Sequence, residues 1–157
     1  SKLHSLQDVA NFIRSGNMQT SARNQFRGQI TKIMPGAVNA EIVLALNESQ
    51  TVTAIITHDS LQQLNLKVGS PVVALVKASW VLLSKETGLK TSARNQLTGK
   101  IQRISEGAVN SDVTVDLGGG KSLSAVITHS SCEELELKPG DNVCAFFKAS
   151  NVILMAE

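Results

Sequence analysis

Among the residues that recur 71 positions apart in this sequence, seven polar pairs share one property: every side chain can donate a hydrogen bond. The pairs are Ser21/Ser92, Arg23/Arg94, Asn24/Asn95, Thr57/Thr128, Ser60/Ser131, Lys77/Lys148 and Ser79/Ser150. Arginine and lysine only donate, and hydroxyl and amide groups can also donate. No Asp or Glu is identical at matching positions. Two cations and several hydroxyls without a retained acid indicate a site for a small dianion rather than for a metal cation.

Thr57 and Ser60 lie where a predicted strand gives way to a predicted short helix, as do Thr128 and Ser131. The backbone N–H groups at the start of a helix have no partner within it, and the helix dipole favours negative charge there. Threonine and serine are also common N-cap residues, so capping alone explains why they recur. Both interpretations stay open, because a capping residue lies beside the same free N–H groups.

Catalytic and metal-binding patterns do not recur in the two halves of the sequence. Matching positions hold no Ser/His/Asp set, paired acids, glycine-rich phosphate loop or Cys-x-x-Cys. His58 and His129 supply one histidine per half, which is too few for a transition-metal site. Cys132 and Cys144 stand where the first half has aliphatic residues, so we expect both to fill apolar space. These residues indicate a binding protein and not an enzyme.

The recurring residues belong to a tandem repeat. Residues 20–79 and 91–150 align without insertion or deletion and are identical at 28 of 60 positions. Self-similarity of this length predicts two copies of one structural unit. We place the first unit at residues 20–84 and the second at residues 91–157, with a short polar connection between them.

Residues 1–19 have no counterpart ahead of the second unit. Apolar residues recur there at helical spacing, at Leu3, Leu6, Val9, Ala10 and Ile13. Gly16 is a typical helix stop. We expect a linker helix that leads to an N-terminal domain missing from this sequence. A packing helix at the edge of the domain is the alternative.

Each unit shows the pattern of five short strands. In the first unit they are predicted at residues 26–33, 40–46, 51–57, 72–76 and 80–83. Residues 60–64 have the pattern of a short helix between the third and fourth strands. This order is typical of an OB-like barrel. The predicted fold is therefore all-β, with two tandem five-stranded OB-like barrels preceded by an N-terminal helix.

Composition argues against two other classes of protein. The 157 residues carry a net charge of +2, and 3% of them are aromatic. An OB-fold nucleic-acid binder is expected to have a basic groove with stacking aromatic rings, so we rank this alternative last. No apolar run approaches the roughly 18–20 residues of a membrane span. We expect a cytoplasmic protein that does not bind membranes.

The recurring motifs resemble those of the molybdate-binding Mop family. They are an opening Ser-Ala-Arg-Asn-Gln, then Gly-x-Ile, Gly-Ala-Val-Asn, Ile-Thr-x-x-Ser, Leu-x-Leu-x-x-Gly and a closing Lys-Ala-Ser. The resemblance covers about residues 20–156, and two such units in one chain form a di-Mop domain. It implies OB-like barrels that bind molybdate or tungstate, as an oxyanion, at interfaces between units of different chains.

Carried over residue by residue, the resemblance implies two sets of ligands. One half of the first site is Ser21, Ala22, Arg23, Asn24, Lys77 and Ser79, and Thr57 and Ser60 of a partner chain form the other half. The matching residues of the second unit are Ser92, Ala93, Arg94, Asn95, Lys148, Ser150, Thr128 and Ser131. The implied assembly is a homodimer or a trimer, and the Gly-Ala-Val-Asn turn is a candidate for a second kind of site in higher oligomers.

Two roles are compatible with the resemblance. The first is the molybdate-sensing effector domain of a ModE-type transcription regulator, which controls genes of molybdate uptake and of molybdoenzymes and binds DNA through the missing N-terminal domain. The alternative is a free-standing di-Mop protein for intracellular molybdate storage. The residues ahead of the first motif favour the regulator, whereas the complete motif in both units favours storage.

Overall fold

The structure is a computed structural model that describes residues 24–157. The predicted helix over residues 1–19 and three predicted site residues, Ser21, Ala22 and Arg23, lie outside the described residues. Residues 24–157 form two five-stranded antiparallel sheets with two short α-helices. The prediction of an all-β chain with two OB-like units, each with a short helix between its third and fourth strands, is confirmed.

The secondary structure repeats in the same order. The first repeat contains β1 (Asn24–Pro35), β2 (Asn39–Ala45), β3 (Thr51–Thr57), α1 (His58–Gln63), β4 (Pro71–Val76) and β5 (Leu82–Ser84). The second repeat contains β6 (Asn95–Glu106), β7 (Asn110–Gly118), β8 (Lys121–Thr128), α2 (His129–Glu134), β9 (Asn142–Phe147) and β10 (Ile153–Ala156). A single turn of 3-10 helix precedes the last strand of each repeat, at Ala78–Trp80 and Ala149–Asn151.

The last strand of each repeat joins the sheet of the other repeat. The strand order is β10-β4-β1-β2-β3 in the first sheet and β5-β9-β6-β7-β8 in the second. Ile153 pairs with Leu75 in the first sheet, and Leu82 pairs with Phe146 in the second. Our expectation that each repeat completes its own barrel is corrected by this exchange. The apolar pattern of a strand is the same whichever sheet the strand joins, so the pattern cannot distinguish the two arrangements.

Burial follows the position of each strand in its sheet. In β2, Ile42 and Leu44 are fully buried and alternate with partly exposed residues, as expected for a strand with one covered face. In β4, which lies between β1 and β10, all residues from Val72 to Val76 are buried, so both faces of this strand are covered. Buried residues of the two sheets, with Phe26 and Phe147 among the largest, form one continuous cluster.

One glycine in the long first strand of each repeat, Gly28 in β1 and Gly99 in β6, allows that strand to bend. A Cβ atom on Gly28 would lie 2.3 Å from the Ala45 carbonyl oxygen, and one on Gly99 would lie 2.3 Å from the Asp116 carbonyl oxygen. A β-bulge follows each glycine, where the pairing register shifts. Each bent strand therefore pairs with one neighbour along its first half and with the other neighbour along its second half.

Removal of β10 tests the exchange of strands. A chain that ends at Val152 leaves β4 at an open sheet edge and removes the buried Leu154 side chain, a loss expected to cost about 2–5 kcal/mol of unfolding free energy. In hydrogen exchange measured by mass spectrometry, protection should fall in β4 and persist in β9, which keeps β5 as its partner. Loss of protection in β9 instead of β4 would contradict the exchanged topology.

Candidate anion-binding site

The opening and closing motifs of one repeat lie at the same end of its sheet. Asn95 pairs with Phe147 in the antiparallel β6–β9 ladder. Arg94, directly before β6, and Lys148, directly after β9, are therefore the next residues at this end of the ladder. Both side chains are exposed, while Ala149 is buried and fixes the turn that carries the motif. The backbone register therefore brings the opening and closing motifs of the second repeat to the same end of the sheet, where the resemblance predicts half of a site.

The closing motif of the first repeat also reaches the strand–helix junction of the second. The 3-10 turn Ala78–Trp80 packs against β8, and the turn Ala149–Asn151 packs against β3. As a result Ser79 lines a cavity of about 300 Å³ together with Thr128 and Ser131. The resemblance placed the threonine and serine on a partner chain. In this structure the other repeat of the same chain brings them to Ser79, because the closing motif precedes an exchanged strand.

A second cavity lies next to the first. It measures about 290 Å³ and is lined by Ser79, Ser92, Ala93 and Lys148. Apolar side chains complete its wall, among them that of Trp80, which is 45% exposed. The two adjoining cavities share Ser79 and together are lined by six of the predicted site residues: Ser79, Ser92, Ala93, Thr128, Ser131 and Lys148. Neither of these two cavities is lined by the predicted site residues Thr57, Ser60, Lys77, Arg94 and Ser150.

Thr57 and Thr128 cap the two helices, as the simpler interpretation predicts. The Thr57 hydroxyl oxygen accepts from the Ser60 amide at 3.0 Å, and the Thr128 oxygen accepts from the Ser131 amide at 3.1 Å. Each threonine hydroxyl also donates to the serine hydroxyl oxygen at 2.8 Å. This arrangement leaves the hydroxyl protons of Ser60 and Ser131 free for another acceptor. Capping and anion binding are therefore compatible.

Asn24 and Asn95 hold the two repeats together. The Asn95 amide donates to the Thr53 carbonyl at 2.8 Å and accepts from the Thr53 N–H at 2.7 Å. Asn24 makes the same pair of bonds with the backbone of Ser124, both at 2.7 Å. Both asparagines are buried, and each docks on a strand of the other repeat. This contact is a structural reason for the recurrence of the two asparagines, which the sequence analysis assigned to ligand binding.

Arg94 is paired with a carboxylate that sequence analysis passed over. Its two terminal nitrogens bind the two carboxylate oxygens of Glu41 on β2 of the first repeat, with Nη1 3.3 Å from Oε2. The corresponding residue of the second repeat is Asp112. A search restricted to identical residues misses this pair, whereas a comparison by charge finds an acid at the same position of both repeats.

The two lysines of the closing motifs have no acidic partner among residues 24–157. The Lys77 ammonium lies over the Trp80 ring, 5.7 Å from its centroid, in a cation–π contact. Lys148 borders the smaller cavity. Both cations are therefore available to an anion that enters between the repeats.

His58, His129 and the two cysteines lie apart from any cluster of metal-ligating residues in the described part of the chain. The backbone N–H of His58 donates to the Val38 carbonyl at 2.8 Å, and that of His129 donates to the Val109 carbonyl at 2.9 Å. These bonds anchor the Gly-Ala-Val-Asn turns. Cys144 is buried, which raises the pKa of its thiol. Within residues 24–157, no cluster of His, Cys, Asp and Glu could hold a metal ion, and no helix is long and apolar enough to cross a membrane.

Comparison with known proteins gives the family of this chain. Residues 20–83 and 91–154 each match the model of the TOBE domain. The chain belongs to the TOBE domain family. Its two TOBE domains are of the Mop type, and the members of this family to which it is related are binding proteins, not enzymes.

Curated relatives include regulators and binding proteins. The molybdenum transport protein ModE of Azotobacter vinelandii is 45% identical over 95% of this chain and 55% of its own length. The molybdenum-pterin-binding protein MopA of Rhodobacter capsulatus is 45% identical over 92% of this chain and 55% of its own length. The transcriptional regulator ModE of Yersinia pestis is 37% identical over 88% of this chain and 53% of its own length. The chain thus spans about half the length of these relatives.

A solved structure matches both TOBE domains together. The cytoplasmic molybdate-binding protein ModG, in a form with molybdate bound, superposes with a TM-score of 0.85 at 45% sequence identity. The match covers 89% of this chain and 100% of that chain. The arrangement of the two sheets is therefore shared with a molybdate-binding protein.

Substitution of Asn95 tests the contact between the repeats. Asn95→Ala leaves the buried N–H and C=O groups of Thr53 without their partners, so we expect a loss of about 2 kcal/mol or more of unfolding free energy. Urea unfolding followed by circular dichroism measures the loss. Asn142→Ala, at an exposed position of the same sheet, serves as the control and should change stability little. Equal stability of the two variants would refute the role given to Asn95.

Proposed function

We propose that this chain binds molybdate, and tungstate, between its two TOBE domains. The observation that carries the proposal is the convergence of Ser79, Thr128 and Ser131 on one cavity at the domain boundary. The molybdate-bound structure of ModG and the ModE and Mop relatives support the choice of ligand.

The donor set suits this oxyanion chemically. Molybdate is a fully deprotonated tetrahedral dianion at neutral pH, so its four oxygens only accept hydrogen bonds. Lysine, arginine, hydroxyl and backbone N–H groups donate, and bonds to a charged partner are stronger than neutral ones. Sulfate has the same charge and shape but is smaller, so selection against sulfate depends on the size of the cavity.

We assign two sites to each chain. The first combines Ser21, Ala22, Arg23, Lys77 and Ser79 with Thr128 and Ser131 of the second repeat. The second combines Ser92, Ala93, Arg94, Lys148 and Ser150 with Thr57 and Ser60 of the first repeat. Asn24 and Asn95 belong to these sites as residues that position the adjacent arginine, because their side-chain amides bind the backbone of the opposite repeat. A homodimer or trimer is a further expectation that neither site requires.

For the biological role, we propose the ligand-sensing part of a cytoplasmic, molybdate-dependent transcription regulator. Relatives named ModE support this role, and each extends well beyond the region that matches this chain. The alternative is molybdate storage. It is favoured by ModG, whose whole length is covered by this chain.

Titration with oxyanions tests ligand binding. Trp80, the only tryptophan, contacts Lys77 and lines the cavity with Lys148, so molybdate and tungstate should change its fluorescence while sulfate and phosphate do not. Lys77→Ala and Lys148→Ala should each weaken binding roughly tenfold or more, because each removes a charged donor. Lys90→Ala, in the exposed connection between the repeats, is the matched control. If molybdate changed neither the Trp80 fluorescence nor the heat measured by titration calorimetry, the proposal would be refuted.

Operator binding separates the two roles. The full-length product of the gene, mixed with promoter fragments of molybdate-uptake genes, should shift DNA in an electrophoretic assay more strongly when molybdate is present. The same protein with Lys77→Ala and Lys148→Ala should lose this dependence on molybdate. A full-length product that binds molybdate and never binds such DNA would identify a storage protein.

A further inference from the structure

The pair between Glu41 and Arg94 joins a predicted ligand of one repeat to an acid of the other. Glu41 lies on β2, opposite Ile55 of β3, and its side chain is 20% exposed. Arg94 directly precedes Asn95, whose amide docks on Thr53 of the same strand β3. The arginine therefore reaches across β3 to Glu41. Its own side chain is 52% exposed, so its remaining donors are open to solvent and to a ligand.

The Glu41 carboxylate accepts hydrogen bonds from the same Arg94 guanidinium nitrogens that would donate to a bound oxyanion. Two parallel N–H···O bonds to one carboxylate occupy both terminal nitrogens of Arg94. The same fork geometry suits two oxygens of a tetrahedral anion. An anion that binds here must therefore compete with Glu41 for the N–H donors of Arg94, or lie close to the negative charge of Glu41. Either case lowers the affinity for the anion.

We infer that Glu41 is an internal counter-anion of the second site and sets its affinity for oxyanions. The inference rests on the proposed function, since it concerns the same site. The carboxylate holds Arg94 by a contact between the two repeats, and a bound oxyanion competes with that contact. Asp112 is the corresponding acid of the second repeat, so the first site has the same element available.

The charge of the ligand separates this role from a purely structural one. Coulomb repulsion from Glu41 is proportional to the charge of the bound ion. Molybdate carries two negative charges and perrhenate, a tetrahedral oxyanion, carries one. Removal of the carboxylate charge should therefore help molybdate more than perrhenate. A change that only disturbed packing would affect both anions alike.

The experiment is a calorimetric titration of Glu41→Gln with sodium molybdate and with sodium perrhenate. The background is Lys77→Ala, in which the first site has lost a cation, so that the second site dominates. Glutamine keeps the shape of the side chain and removes its charge. We expect the dissociation constant for molybdate to fall by roughly three- to tenfold, and that for perrhenate by a smaller factor. Glu41→Ala, which frees both terminal nitrogens, should give a gain at least as large.

Glu48→Gln is the matched control, because it removes one negative charge from the exposed hairpin that follows β2. It should leave both affinities nearly unchanged. Weaker or unaltered molybdate binding by both Glu41 variants would overturn the inference, as would an equal gain for the two anions. If the background protein binds no molybdate while the unsubstituted chain does, the assignment of the second site fails. If the unsubstituted chain binds none, the proposed function itself fails.

Discussion

The exchange of the last strands is the constraint on which the rest of the structure depends. β10 completes the sheet of the first repeat and β5 that of the second, so the chain must cross the boundary twice. Each crossing follows directly after a Lys-Ala-Ser motif. The motif is consequently held at the boundary by its own buried alanine and by the paired strand that follows it. A cation and a hydroxyl are thereby placed beside the other repeat without a dedicated loop.

Much of this architecture was accessible from the sequence, because its signals are local. The repeat, the strand order and the short capped helix each leave a pattern in neighbouring residues. The exchange leaves none, since strand pairing depends on the path of the turn and not on the alternation of Leu82 or Ile153. For the candidate site, the sequence predicts Thr128 and Ser131 as ligands, but it does not predict that they line one cavity with Ser79 of the same chain.

A residue can be identical in the two repeats for a structural reason or for a chemical one. Asn24 and Asn95 recur because a buried amide must satisfy one backbone N–H and one C=O of a neighbouring strand, and asparagine matches both groups. Glu41 and Asp112 keep only their charge. Identity between the repeats therefore does not by itself indicate contact with a ligand, and a search for identical residues misses the acids Glu41 and Asp112. Electrostatic competition of this kind is visible only when both partners are placed in space.

The short connection between β5 and β6 covalently tethers the two repeats, so their contact is intramolecular. Two separate single-repeat molecules would have to collide, and their association would weaken on dilution. A brief linker instead maintains each repeat at a millimolar effective concentration around the other. If the linker were cut, the two halves would stay together through the exchanged strands, the shared apolar cluster, the asparagine hydrogen bonds and the Glu41–Arg94 ion pair. Because the two repeats are in one chain, their association does not depend on the concentration of the protein.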